Sequence, residues 1–285
     1  MVKKELGTPK GMALTIGLNS VSPAHYGGWS GELVACEADA QDMAEIAQSQ
    51  GFAVKSLLTK AATRDNVKSE LARAASNLRT DDILVLSYSG HGGQLPDMNN
   101  DEDDYQDETW CLYDGELVDD EIYVLLGKFA PGVRILVFSD SCHSGTAVKA
   151  AFYHGTAFAR TSSTAPREVK YRFMPPEVAL RTYRQNRRFY DEILKDPGLK
   201  EAPGSVKASV LLISGCQDNQ FSADGAFNGL FTGNLLRVWN NGNFEGDYGL
   251  FHKSIRKVMP PDQTPNYYSV GELNPVFEAQ KPFTI

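Results

Sequence analysis

The sequence predicts an α/β protein: a mostly parallel, six-stranded sheet with helices on both faces. Three observations carry that expectation. Apolar, β-branched runs alternate with helical segments along the first half of the chain, the rhythm of β-α-β units. The runs are almost continuously apolar, as strands covered on both faces are. Two of them end in glycine-flanked motifs, Ser89-Gly90-His91-Gly92-Gly93 and Asp140-Ser141-Cys142-His143-Ser144-Gly145, and open α/β sheets carry their sites at strand carboxyl ends.

Taken in order, Met12 to Leu18 reads as a buried strand and Asn19 to Gly31 as a loop rich in Gly, Ser and Pro. Glu32 to Gln50 has helical apolar spacing and a stop at Gly51, and Phe52 to Leu58 is a second strand. Thr63 to Leu78 is a helix capped by Thr63 or Asp65. Asp82 to Ser89 and Val133 to Asp140 are the third and fourth strands. Between them, residues 81–127 hold 14 Asp/Glu and no Lys or Arg. The middle of that stretch, Asp97 to Glu108, reads as a loop, Trp110 to Tyr113 as a small hairpin strand, and Val118 to Phe129 as a helix with Asp119 and Asp120 at its positive end. Residues 151–200 invert the balance, with ten Lys/Arg against five Asp/Glu. Thr161 to Pro166 is linker-like, and Pro175-Pro176 opens a helix to about Leu194. Ser209 to Ser214 is a further strand, Leu230 to Trp239 and Leu250 to Val258 are helices, and the Pro-spaced tail from Gln263 reads as edge or extended segments.

Composition narrows the function. The 285 residues are 42% hydrophobic, enough for a large core. A net charge of -8 argues against nucleic-acid binding. No apolar run approaches the roughly 18 residues of a membrane span, and none after the N-terminal basic residues has signal-peptide character. The four cysteines, Cys36, Cys111, Cys142 and Cys216, form no CxxC pair, which argues against zinc or a disulfide framework. A soluble, cytoplasmic protein is expected.

Cys142 is the candidate nucleophile. It follows a strand and precedes an expected helix start, where backbone N–H groups and the helix dipole favour a thiolate. His91 is the candidate base and acid. The backbone N–H groups of Gly92 and Cys142 are the candidate oxyanion hole, with a bare glycine backbone to admit a substrate carbonyl. A structural cysteine beside an unrelated loop histidine is the plainer alternative. His143 is a second imidazole next to the cysteine, while His25, His154 and His252 have no motif around them.

The pair resembles the dyad of caspase-like cysteine peptidases of clan CD. Cys142 lies 51 residues after His91, near the caspase spacing. The Asp-Ser-Cys-His-Ser-Gly form departs from the animal caspase signature and is similar to that of metacaspases, nearest the prokaryotic and type I members (orthocaspases). The resemblance extends to Ile16-Gly17-Leu18-Asn19, Cys36 to Ala40, Ser214 to Gln220, Gln263-Thr264-Pro265 and Pro282-Phe283. It implies one caspase-like domain spanning residues 1–285. Within it, residues 1–155 are large-subunit-like, residues 156–204 form a basic linker region, and residues 205–285 are small-subunit-like. It also implies a monomeric endopeptidase acting on proteins or peptides with Arg or Lys at P1. Asp39 and Asp140 match the family's acidic S1 residues, and Ser89 and Cys36 further positions of the pocket wall. Two carboxylates at one site would select a guanidinium by charge-assisted hydrogen bonds.

The same resemblance implies Ca²⁺ as an activator, with Asp107, Asp119 and Asp120 as ligands, although no convincing carboxylate stands a few residues after Cys142, where a fourth ligand is expected, and Lys149 lies nearby. Asp97, Asn99, Asp101 and Asp103 at alternate positions, with Glu108 at the twelfth, echo an EF-hand, but Glu102 occupies the position that demands Gly. The family reading makes Arg160, Arg167, Lys170 and Arg172 candidate self-cleavage positions in the basic linker. The first alternative is another reaction on the same fold, such as an asparaginyl or Asp-directed peptidase, and the acidic pocket argues against an acidic P1. The alternative of another class is a catalytically silent, calcium-responsive interaction module on the same fold.

Overall fold

The computed structural model describes residues 8–96, 106–141, 170–200, 202–216, 223–225, 227–261 and 263–285. In chain order its principal elements are β1 (Gly11–Gly17), α1 (Cys36–Ser49), β2 (Ala53–Leu58), α2 (Arg64–Asn77), β3 (Ile83–Ser89), β4 (Gly92–Pro96), β5 (Gln106–Leu112), β6 (Gly115–Val118), α3 (Asp119–Leu126), β7 (Arg134–Asp140), α4 (Pro176–Gln185), α5 (Arg187–Leu194), β8 (Ser209–Ser214), α6 (Leu230–Trp239), α7 (Tyr248–Val258) and β9 (Asn266–Gly271). The main sheet runs β2-β1-β3-β7-β8-β9. All its neighbours pair parallel except β9, which closes the edge antiparallel to β8. The six-stranded, mostly parallel expectation is met, and the predicted edge segment in the tail is β9.

Period-two alternation distributes each central strand between two cores. Leu84, Leu86 and Tyr88 of β3, with Ile135 and Val137 of β7, face a cluster that includes Val67 and Leu71 of α2 and Leu125 and Leu126 of α3. Ile83 and Val85, with Leu136 and Phe138, face the opposite cluster, built with Met43 and Ile46 of α1, Phe231, Leu235 and Trp239 of α6, and Phe251 and Ile255 of α7. Both faces being buried explains why these strands are continuously apolar. The lateral strands β4, β5 and β6 form a separate antiparallel sheet, larger than the single hairpin strand read around Trp110.

Three boundaries differ from expectation, each for a local reason. Helix α1 begins at Cys36, not Glu32. Gly31 takes a left-handed φ of +54°, and the Leu33 and Val34 N–H groups bond Asn19 and Asp224, so residues 32–35 are committed to the loop. The helix read from Pro176 to Leu194 is two, α4 and α5, divided at Asn186 (φ −109°). Helix α7 starts at Tyr248 because Asp247 caps it, accepting from Leu250 N–H at 2.7 Å. The Thr63 cap of α2 forms as read, accepting from Asn66 N–H. Among the described residues no helix is long and apolar enough to cross a membrane.

Candidate active site

The register of β3 on β7 sets Ser89 opposite Asp140, so the two motif-bearing strands end side by side. His91 follows β3 directly. Its carbonyl is pinned by Tyr88 Oη at 2.7 Å and by Cys111 N–H at 2.9 Å. Its ring packs against Trp29 with centroids 4.7 Å apart. Nε2 lies 2.9 Å from the Gly31 carbonyl, which can only accept, so Nε2 carries the proton. Nδ1 is then the basic nitrogen, buried and without a hydrogen-bond partner among the described residues. Burial, aided by the nearby Arg172 charge and only partly opposed by the Gly31 carbonyl, Asp224 and the Phe173 backbone, lowers the His91 pKa to about 4. The ring is therefore held neutral, the state a general base needs. Cys142 lies outside the described residues, as do His143, Arg160, Arg167 and Lys149.

Beside His91, three predicted pocket residues, Asp39, Ser89 and Asp140, together with Asp224, converge on one side chain, and it belongs to the chain itself. Arg172 is completely buried. Its Nη1 donates to Ser89 Oγ at 2.8 Å and meets Asp140 Oδ2 at 2.9 Å. Its Nη2 meets Asp39 Oδ2 at 2.7 Å and Asp224 Oδ1 at 3.0 Å. The planar fork of a guanidinium fits this two-nitrogen, four-partner arrangement, whereas an ammonium is a single point. Each carboxylate has a second anchor. Asp39 Oδ1 accepts from Gly229 N–H at 2.9 Å and Asn228 Nδ2 at 3.0 Å. Asp140 Oδ2 accepts from Thr232 N–H at 3.1 Å and Oγ1 at 2.7 Å. Asp224 Oδ2 accepts from Val34 N–H at 2.9 Å.

These anchors offset part of the cost of burying charge. Burial pushes the Asp39 carboxyl up, while Arg172 pulls it down. Burial works against the Arg172 charge too, but the Asp140, Asp39 and Asp224 carboxylates outweigh it and hold the guanidinium protonated. Burial pushes the Cys36 thiol up to about 12, so it stays neutral as pocket wall. Gly229 admits the guanidinium: a Cβ there would stand 2.4 Å from Arg172 Nη1.

The backbone around Arg172 is held like an added strand. Asp224 N–H donates to the Lys170 carbonyl at 2.8 Å, and Tyr171 bridges antiparallel to Ala223. The Gly92 N–H, the candidate oxyanion donor, donates to the Arg172 carbonyl at 3.0 Å, and Met174 N–H returns to the Gly92 carbonyl at 2.8 Å. This corrects the placement of Arg172 in an accessible basic linker. Lys170 is exposed, with Nζ on the Glu32 carbonyl at 3.0 Å.

No motif in the sequence singles out Asp224 or Gly229. The only signal for them is that both follow the carboxyl end of β8, on the same sheet edge as the two motifs. The expected calcium ligands sit apart from this pocket, with Asp107 on β5 and Asp119 and Asp120 opening α3. Among the described residues no group of three or more His, Cys, Asp or Glu is arranged to hold a metal ion.

Fold and site together define an open α/β protein whose acidic cleft, at the strand carboxyl ends, holds the guanidinium of its own Arg172. The sequence profile of the caspase-domain family (Peptidase_C14) matches residues 10–277, and the chain belongs to that family. Metacaspase-1 of Eremothecium gossypii is 30% identical over 250 residues, which make up 78% of this chain and 54% of that protein. Metacaspase-1 of Coccidioides immitis is 29% identical over 256 residues, 80% of this chain and 53% of that one. These relatives are fungal rather than prokaryotic, and the chain spans about half their length. A bacterial chain, a Geobacter sulfurreducens protein of known crystal structure, is 60% identical with a TM-score of 0.88, over 97% of this chain and 99% of that one.

Proposed function

We propose that this chain is a cysteine endopeptidase that cleaves after Arg or Lys and processes itself at Arg172–Phe173. Cys142 attacks the carbonyl, His91 Nδ1 moves the proton from thiol to leaving amine, and the Gly92 and Cys142 N–H groups receive the oxyanion. The observation that carries the reading is Arg172. Its side chain fills the acidic pocket while its carbonyl rests on the Gly92 N–H and Phe173 lies opposite Gly92, next to His91. A P1 arginine awaiting attack requires these same contacts. Among the four linker candidates they favour Arg172, since the Lys170 side chain points to Glu32 instead. They also imply that the uncut chain blocks its own S1 pocket.

Calcium activation belongs to the proposal on the resemblance alone, and no step is derived through the ion. Protein or peptide substrates, a monomeric state and a cytoplasmic setting belong to the same reading.

The test is hydrolysis of fluorogenic peptides ending in Arg, Lys or Asp, with calcium or chelator, beside Cys142→Ala. The reading expects turnover of Arg and Lys peptides, none of Asp peptides, and loss of all turnover in the variant. Silence on every substrate in both metal conditions would favour the inactive, calcium-responsive interaction module.

A further inference from the structure

The two sides of the Arg172–Phe173 bond are held independently. Upstream, the guanidinium is fixed by three carboxylates and the Arg172 carbonyl by Gly92. Downstream, Met174 is fully buried in an apolar chamber with Val21, Tyr26, Cys111 and Val178, and its N–H bonds the Gly92 carbonyl. Pro175 then begins the first turn of α4, its carbonyl accepting from Val178 and Ala179 N–H at 2.9 Å each. Beyond it Asn186 Nδ2 donates to the His25 carbonyl and Tyr190 Oη meets His25 Nε2 at 2.7 Å. Cutting the bond breaks none of these contacts. The new α-amino group of Phe173 is one residue from a buried anchor, a reach of about 3.8 Å between successive Cα atoms. It therefore stays on the prime side of the cleft beside His91.

Resting on the peptidase reading above, we infer that the processed protein is also an acyl transferase: it passes Arg-ending acyl groups to its own Phe173 α-amine, in competition with water. Once Arg172 has left the pocket, a substrate arginine enters it with its carbonyl on the Gly92 N–H, as Arg172 is held now. Its acyl group, carried on Cys142 as a thioester in the proposed reaction, is offered to the tethered amine. The nitrogen attacks the acyl carbon, so the C–N bond forms and the C–S bond breaks. The surplus proton on nitrogen passes to His91 and then to the departing sulfur. No water, oxidant or cofactor is consumed. A nucleophile held in position competes with water through its high effective molarity. The same step with the chain's own Arg172 as acyl donor makes the self-cleavage reversible.

The processed protein is incubated with saturating acetyl-Lys-Tyr-Arg-aminomethylcoumarin at about pH 8, where an α-amine is largely neutral, and quenched in acid. The intact mass of the fragment beginning at Phe173 is then read. The inference expects that fragment to gain one acetyl-Lys-Tyr-Arg group, located at Phe173 by fragmentation. It also expects Met174→Ala, which loosens the anchor, to lower the ratio of acylated fragment to released coumarin at least tenfold. Coumarin release with a permanently free Phe173 amine, or an equal ratio in the variant, would overturn the transfer while leaving the peptidase reading intact. No coumarin release would overturn the peptidase reading and the transfer with it.

Discussion

Replacing Arg172 by Ala should turn the pocket into three buried carboxylates with no cation. Asp39, Asp140 and Asp224 all contact the guanidinium in the native chain and are themselves buried or nearly so. Removing one partner of a buried ion pair costs about 3–5 kcal/mol, because the charge left behind is uncompensated. Here each carboxylate keeps at least one backbone N–H donor, from Gly229, Thr232 or Val34. We therefore take the lower end, about 3 kcal/mol. At roughly 2–4 °C per kcal/mol for a chain of this size, the melting temperature falls by about 6–12 °C.

Two features separate this loss from an ordinary cavity. Agmatine, a small guanidinium compound, should refill the pocket and recover most of the difference. Acid should recover it too. Crowded carboxylates hold protons more tightly when folded than when unfolded, so the stability they contribute is present at low pH and lost as pH rises. The deficit of Arg172→Ala is thus smaller at pH 5 than at pH 8. Thermal melts of both chains at the two pH values, with and without agmatine, check this. A deficit indifferent to both pH and agmatine, or no deficit at all, would refute the reasoning.

Asp224→Asn keeps the pocket's shape but removes one of the three charges on the guanidinium, and a hydrogen bond to a charged group is worth about 1.5–3 kcal/mol. We expect kcat/KM for Arg peptides to fall roughly 10–100-fold, and an unchanged value in steady-state kinetics would contradict the role. Gly229→Ala drives a Cβ to within 2.4 Å of the guanidinium position, so it should raise KM for Arg peptides more than for Lys peptides and slow self-cleavage, read from fragment yield. Glu116 is completely buried beside Gly93, with burial pushing its carboxyl up to about 7. A raised carboxyl contributes stability that is full below its ordinary pKa and lost as pH rises through 7, here on the order of 3 kcal/mol. Buried His91 acts oppositely, since its pKa is lowered to about 4 and its contribution falls as pH drops from about 6.5 toward 4. Glu116→Gln should therefore gain melting temperature relative to the parent between pH 5 and pH 8. A difference constant across that range would refute the assignment.

The sheet was legible because burial on both faces leaves a continuous apolar signature, and because strand ends concentrate glycine, His and Asp. His91 needed only the adjacency of two strands, which register then supplied, whereas Ser89 and Asp140, at the ends of those same strands, were read as pocket residues from the family resemblance. Asp39 and Cys36 came from the family resemblance, for nothing in an acidic helix start distinguishes a pocket wall from a solvated turn. The fate of Arg172 was not legible. Its partners Asp39, Ser89, Asp140 and Asp224 lie 133, 83, 32 and 52 residues away in sequence, so only the folded chain unites them. A basic stretch looks like solvated linker until one of its charges meets a pocket of opposite sign. Asp224 was hidden for the same reason, since a single acid in a polar loop carries no periodicity.

The most direct test of self-processing at the occupied pocket is the fragment map of the purified chain beside Cys142→Ala, by intact mass and N-terminal sequencing. Fragments ending at Arg172 and beginning at Phe173 are expected in the parent, and an uncut chain in the variant. An uncut parent with and without calcium, or a cut at any other bond while Arg172–Phe173 stays whole, would contradict it.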